Sequence, residues 1–174
     1  MIHIREMTLA DCEQVAEIRI RGWQHAYKGL LPQPYLDDLD LTTETARRRS
    51  HLEQAGKGVV NLVAERNGEV AGWSCHGPYR DAELPTQDAE LYAIYVHPNH
   101  LSQGVGRALL RESTTRCTTA GHPRMLLWVL KENTRARHFY EQAGFAPDGT
   151  EEPWDVAGVS VPEVRYSAPL TVAP

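Results

Sequence analysis

Apolar and polar residues alternate from Ile2 to Arg5, the period of a half-buried strand. From Leu9 to about Tyr27 the spacing changes. Cys12, Val15, Ala16, Ile18 and Ala26 recur at helical intervals, behind a capping-box pattern of Thr8 and Asp11. Gly29, Pro32 and Pro34 are read as ending this helix. A second helix is expected from Thr42 or Thr43 to Gln54, with Arg47-Arg48-Arg49 on a solvated face. Beyond Gly56 and Gly58 the period shortens again. Val59 to Glu65 and Val70 to His76 read as two strands, joined at Asn67-Gly68, a turn that needs positive φ. Glu90 to Val96 is a further strand, ended by His97-Pro98. Gly104 to Ala120 is helical, with Val105, Ala108, Leu109 and Cys117 on one side. Arg124 to Leu130 reads as a buried strand, and Asn133 caps a helix that runs to Gln142 and stops at Gly144. Phe145 to Pro169 forms two strands around a turn at Ala157-Gly158.

The order βαα-ββ-β-α-β-α-ββ predicts an α+β fold (α/β mixed sheet) that is partly antiparallel at its flanks. The chain of 174 residues suits a single domain over 1–174. No internal repeat or low-complexity tract interrupts it. The longest apolar run, Met125 to Leu130, is far short of the ~20 residues of a membrane span. The N-terminus has no apolar signal core, so a cytoplasmic location is expected. The net charge of −5 argues against nucleic acid as the main partner. Cys12, Cys75 and Cys117 are odd in number and far apart, and His97 and His100 have no ligand partners at metal spacing. Neither a disulfide framework nor a metal site is indicated.

The candidate chemistry lies where a strand runs into a glycine-containing turn and then a helix, over Tyr95-Val96-His97-Pro98-Asn99-His100-Leu101-Ser102-Gln103-Gly104-Val105-Gly106-Arg107. Free backbone amides and the helix dipole converge at such a place, a site for phosphate or pyrophosphate. A lone Gly-x-Gly fits equally a plain turn packed close to a strand. The Gly-x4-Gly-Lys-Ser/Thr loop is absent, as is an early Gly-x-Gly-x-x-Gly with an acidic residue about twenty positions on, so two familiar nucleotide loops are excluded.

Tyr95-Val96-His97-Pro98 followed by Gly104-Val105-Gly106-Arg107-Ala108-Leu109-Leu110 resembles motif A of the GNAT superfamily of acetyl-CoA-dependent N-acetyltransferases. Asn133-Thr134-Arg135-Ala136-Arg137-His138-Phe139-Tyr140-Glu141-Gln142-Ala143-Gly144-Phe145 resembles its motif B. The resemblance extends over the whole chain. It implies about seven strands and four helices, with central parallel strands splayed apart. One departure is Leu101, where the family usually has Gln or Arg, although there the loop amides do most of the pyrophosphate binding.

The resemblance implies acetyl-CoA as co-substrate, with no metal. Leu101, Ser102, Gln103, Gly104, Val105, Gly106 and Arg107 would hold its pyrophosphate. Ile94, Tyr95 and Val96 would pair with the pantetheine arm, and Asn133 would touch it, a role that competes with plain helix capping. Tyr140 is implied as the general acid facing the sulfur, against a reading as a core aromatic. Glu90, at the start of the central strand, is the candidate general base, with Glu83 and Asp88 as weaker competitors. For the acceptor, Trp23, Tyr27, Trp73, Tyr79 and Trp154 lie in the variable regions, although Trp23 and Tyr27 also suit a core. An aromatic, acidic pocket would suit a cationic amine.

The expected function is transfer of acetyl to a primary amine of a small molecule, by direct attack in a ternary complex. A protein N-terminal or lysine acetyltransferase is the alternative, favoured by an open gap between the first-helix loop and the late hairpin. A non-catalytic acyl-CoA sensor is a third reading. The family also implies a homodimer, often through the late strands.

Overall fold

The computed structural model describes residues 1–80, 83 and 86–171. Seven strands form one sheet: β1 (Ile2–Glu6), β2 (Val60–Arg66), β3 (Glu69–Pro78), β4 (Ala89–Val96), β5 (Arg124–Leu130), β6 (Ala146–Val156) and β7 (Val159–Pro169). Their spatial order is β1-β2-β3-β4-β5-β7-β6. Every neighbouring pair is antiparallel except β4 and β5, which are parallel. The five α-helices are α1 (Cys12–Ala26), α2 (Gln33–Asp37), α3 (Leu41–Glu53), α4 (Val105–Thr119) and α5 (Thr134–Gln142). The mixed α+β class and the seven strands agree with expectation. The additional helix is α2, which starts where prolines were read as a stop. Pro34 sits in its first turn, where the missing N–H costs nothing.

Strand alternation explains the layers. On β2, Val63 joins Cys12 and Val15 of α1 on one face, while Leu62 and Ala64 join Val105 and Leu109 of α4 on the other. Leu110, Met125, Leu127, Val129, Tyr140, Phe145 and Tyr166 form a further core beneath α4 and α5. Trp23, Leu31, Leu36, Leu130, Val156 and Val161 unite α1 and α2 with the β6–β7 hairpin. That hairpin turns at Ala157 (φ 49°) and Gly158 (φ 79°), as the sequence pattern predicts.

The arginine run on α3 departs from expectation. Arg48 is buried, with its Nε 2.8 Å from Glu44 Oε1 and its guanidinium 5.1 Å from the centre of the Trp73 ring. Glu44, 3% exposed, also draws in Arg19 and Arg47, each at 3.2 Å. A buried carboxylate needs such partners. Three cations converge on it, so one arginine of the run turns inward.

Two features of β3 bear on stability. Gly72 leaves room for the helix: a Cβ there would lie 2.8 Å from Val105 Cγ1 and 3.2 Å from the Tyr95 carbonyl oxygen. His76, 3% exposed, packs on the same strand with its Nδ1 unpartnered. Burial lowers its pKa from 6.5 to about 4, helped by the charge of Arg116.

Replacing Gly72 by alanine is expected to destabilise the fold by about 1–3 kcal/mol through overpacking, read as a lower denaturant midpoint. His76 is neutral when folded. Between pH 6.5 and about 4 the unfolded chain therefore binds a proton that the folded chain lacks. Stability conferred by the neutral ring is full above the unfolded pKa and falls as the pH drops, by on the order of 3 kcal/mol. Urea unfolding of His76→Gln and the parent, at about pH 7 and about pH 4, should show a smaller acid loss in the variant. Equal losses would refute this assignment.

Candidate functional site

The centre of the sheet is open. β4 and β5 bridge only at Ala89–Met125 and Glu90–Leu126. β5 remains fully paired with β7 as far as Leu130, and β4 stays on β3 as far as Val96. The register of β3 with β4 shifts between Cys75 and His76, leaving Tyr92 as the extra residue of a bulge. Bulges bend and twist a strand, and this one follows the last bridge by two residues. Gly77 makes space for it: a Cβ there would lie 2.6 Å from the Tyr92 hydroxyl. That hydroxyl donates to the Pro78 carbonyl, and Arg80 covers the ring at 4.0 Å. Past the last bridge, Leu91–Val96 have no strand on the β5 side. A cavity of roughly 1040 Å³ opens between the two strands.

One end of this cleft is built for an anion. Pro98–His100 form a 3₁₀ turn, and Ser102 (φ 60°) and Gly104 (φ 86°) then adopt left-handed backbone. Alternating backbone of this kind forms an anion-binding nest. The first helical bond of α4 runs from the Ala108 N–H to the Gly104 carbonyl (3.0 Å), so the amides of Val105, Gly106 and Arg107 have no helical partner. Gly106 is pressed between Val96 and Phe139, where a Cβ would be in contact with both. Leu101, Ser102, Gly104, Val105, Gly106 and Arg107 all line the cleft, as do Ile94, Tyr95 and Val96. Gln103 does not line it; its amide donates to the Asn99 carbonyl at 3.3 Å. Arg111 and Arg135 add positive charge to the cleft, which His138 also lines. Arg135 donates to Ser102 Oγ at 3.3 Å, fixing α5 against the loop. Sequence reasoning missed Arg135, although it lies within the quoted second motif.

Asn133 lines the cleft and also caps α5, its Oδ1 accepting from the Ala136 N–H at 3.2 Å. One side-chain oxygen thus accounts for the capping role expected beside the ligand role. Tyr140 lies deeper, buried on α5 but facing the cleft. Desolvation, reinforced by Tyr95, holds its phenol well above the usual tyrosine range, so it is a neutral donor at physiological pH. The Tyr95 hydroxyl lies 3.4 Å from that of Tyr27.

Aromatic rings and carboxylates line the rest of the cleft. Trp23 of α1 meets Tyr27 edge-on at 5.1 Å and Trp154 of β6 edge-on at 5.6 Å. All three line the cleft, together with Trp128, Leu130, Arg80, Glu90 and Glu163. Glu90 is 3% exposed, and both its oxygens are engaged by Arg80: Oε2 accepts from Nη2 at 2.7 Å, and Oε1 accepts from the backbone N–H at 3.1 Å and Nε at 3.3 Å. Glu163 of β7, which sequence reasoning passed over, has its pKa raised by desolvation, then by Glu152 and Glu90.

Two expected acceptor residues lie elsewhere. Trp73 is buried between α1 and the sheet, outside the cleft lining. Its Nε1 donates to Asn61 Oδ1 at 3.1 Å, and its ring stacks on Tyr95. Tyr79 also lies outside, its hydroxyl accepting from Arg165 at 2.9 Å. Asp88 is held by Arg124 at 2.8 Å and Thr86 at 2.8 Å, outside the cleft. Glu83 is exposed and is not among the lining residues. Its neighbours Asp81, Ala82, Leu84 and Pro85, part of the expected acceptor loop, fall outside the described residues. No helix among the described residues is long and apolar enough to cross a membrane.

The geometry can therefore hold a long phosphorylated ligand with its anionic end on the 101–107 loop and its other end beside Tyr140, facing a polar, aromatic chamber. Comparison with known proteins agrees. The profile of the Acetyltransferase (GNAT) family matches residues 17–145. The uncharacterized N-acetyltransferase YuaI of Bacillus subtilis is 31% identical over 170 residues, 97% of this chain and 94% of its own. The L-amino acid N-acyltransferase MnaT of Escherichia coli is 29% identical over 145 residues, 82% of this chain and 78% of its own. Among solved structures, the PaiA N-acetyltransferase of Thermoplasma acidophilum, in complex with coenzyme A, superposes with a TM-score of 0.77 at 20% identity, over 97% of this chain and 99% of that one. The chain belongs to the GNAT family and is an N-acetyltransferase.

Proposed function

We propose that this enzyme moves the acetyl group of acetyl-CoA to a primary amine of a small molecule, by direct attack within a ternary complex. The observation that carries the small-molecule reading is the contact between Trp23 and Trp154. It lies within an apolar cluster that joins α1 and α2 to the β6–β7 hairpin. An extended peptide would need a gap between the first-helix loop and that hairpin, and the two are packed together. The similarity to a relative named for L-amino acid acylation points the same way.

In this reading the 101–107 loop and the free amides of α4 hold the pyrophosphate, with Arg107 and Arg135 beside them. The unpaired edge of β4 at Ile94–Val96, with Asn133 across the cleft, receives the pantetheine arm. Residues 1–174 act as one catalytic domain. Tyr140, a neutral phenol, donates a hydrogen bond to the sulfur as it gains charge. Such a bond forms most strongly in the transition state, where it lowers the barrier. Glu90 was expected to be the base. With both oxygens engaged by Arg80, it instead fixes Arg80 and keeps negative potential at the narrow end of the V. Proximity of amine and thioester supplies much of the rate.

Acetyl-CoA is expected to raise the melting temperature of the protein, by an amount that grows with the logarithm of ligand excess over Kd. Thiol release should accompany turnover of amines such as spermidine, tyramine or L-methionine, while alanyl peptides should be poor acceptors. Preference for the peptides would reverse the reading. Tyr140→Phe should lower kcat about 100-fold with the acetyl-CoA-dependent melting shift retained. An unchanged kcat would remove Tyr140 from the chemistry.

A further inference from the structure

We propose that Glu163 is the carboxylate that receives the acceptor's ammonium group and takes its first proton. The proposal rests on the acetyl-transfer reading above and deepens it.

Position comes first. β7 runs antiparallel to β5, and Glu163 pairs with Leu130, the last residue of β5. That is the wide end of the V, where β5 has left β4 behind. Alternation along β7 sends Val164 and Tyr166 into the core beneath α4 and α5, and Val161 into the opposite core with Trp23 and Leu130. Glu163 shares the face of Val161, so its half-buried side chain enters the cleft among Tyr27, Trp23 and Trp154. Aromatic faces favour a cation.

Pairing distinguishes it from Glu90, the other acid lining the cleft. Glu90 is held by Arg80, Asp88 by Arg124, Asp148 by Arg165 and Glu151 by Lys131. Glu163 has no ion pair among the described residues. The groups that face it are Glu152 across the β6–β7 ladder, Glu90 from β4, with Arg80 turned onto Glu90, and the Tyr27 hydroxyl from α1. Desolvation and these two carboxylates raise its pKa above the ordinary glutamate value. A cation entering the chamber relieves that stress. A carboxylate so placed binds ammonium and is a stronger base than an ion-paired one.

The step balances as follows. Glu163 takes one proton from R–NH₃⁺. The nitrogen lone pair forms the C–N bond at the thioester carbonyl, and the C–S bond breaks with its electron pair on sulfur. The second nitrogen proton leaves as the amide forms and protonates the thiolate, while Glu163 returns its proton to solvent.

The test is steady-state acetyl transfer from acetyl-CoA to spermidine, tyramine and L-methionine by the parent, Glu163→Gln, Glu163→Asp and Glu90→Gln. Glu163→Gln is expected to lose about 100-fold or more in kcat/KM. It should also lose the low-pH limb of the profile, yet keep the parent's acetyl-CoA-dependent melting shift. Glu163→Asp should recover part of the rate and the limb. Parent-like kcat/KM with the limb intact in Glu163→Gln overturns the proposal while leaving the transferase reading standing. Loss of the limb in Glu90→Gln alone also overturns it, by returning the base to Glu90. A parent enzyme that binds acetyl-CoA but acetylates none of the three amines overturns both.

Discussion

Everything in this molecule depends on a strand that loses its neighbour. Backbone amides and carbonyls demand partners, and a sheet interrupted at its centre leaves them exposed. β4 and β5 share two bridges and then part. Neither strand is free to close the gap, because each is fully paired on its other side, β4 with β3 and β5 with β7. The bulge at Tyr92 sets the bend. The open edge that results is the place where an extended ligand arm can complete a sheet.

Electrostatics follow the same division. The chain is acidic overall, yet Arg107, Arg111 and Arg135 line the cleft with the helix terminus, while Glu90 lies at the narrow end of the V and Glu163 at its wide end. Net charge alone would have set the phosphorylated ligand aside. A helix terminus and a nest of amides carry no formal charge, so the sum does not count them.

Much of this was legible in the residues. The bounds of β5, the cap and stop of α5, the β6–β7 turn and the glycine-containing loop all follow from local chemistry: apolar runs, an Asn before a helix, positive φ after one. The misses concern partners distant in sequence. Arg48 turns inward because Arg19 and Arg47 help it neutralise the buried Glu44, and no helical period encodes that. Trp73 was expected at the acceptor, but strand alternation says only that a residue faces one side, not whether a helix or a cleft lies there. Gln103 sits in the right loop with its side chain turned back onto Asn99. Glu163 escaped notice because an acid within a strand reads as an ordinary exposed position. Only the parting of β4 from β5, a long-range property, brings it into the cavity.

The packing of Trp23 on Trp154 joins two stretches from near opposite ends of the chain. Between them lie the loop, β4, α4 and α5, the parts that suit the donor. The family profile spans residues 17–145 and stops before the hairpin. The chamber wall thus pairs Trp23, inside that profile, with Trp154, beyond it. A change of either ring would therefore reshape the chamber while leaving the 101–107 loop and the open edge of β4 as they are.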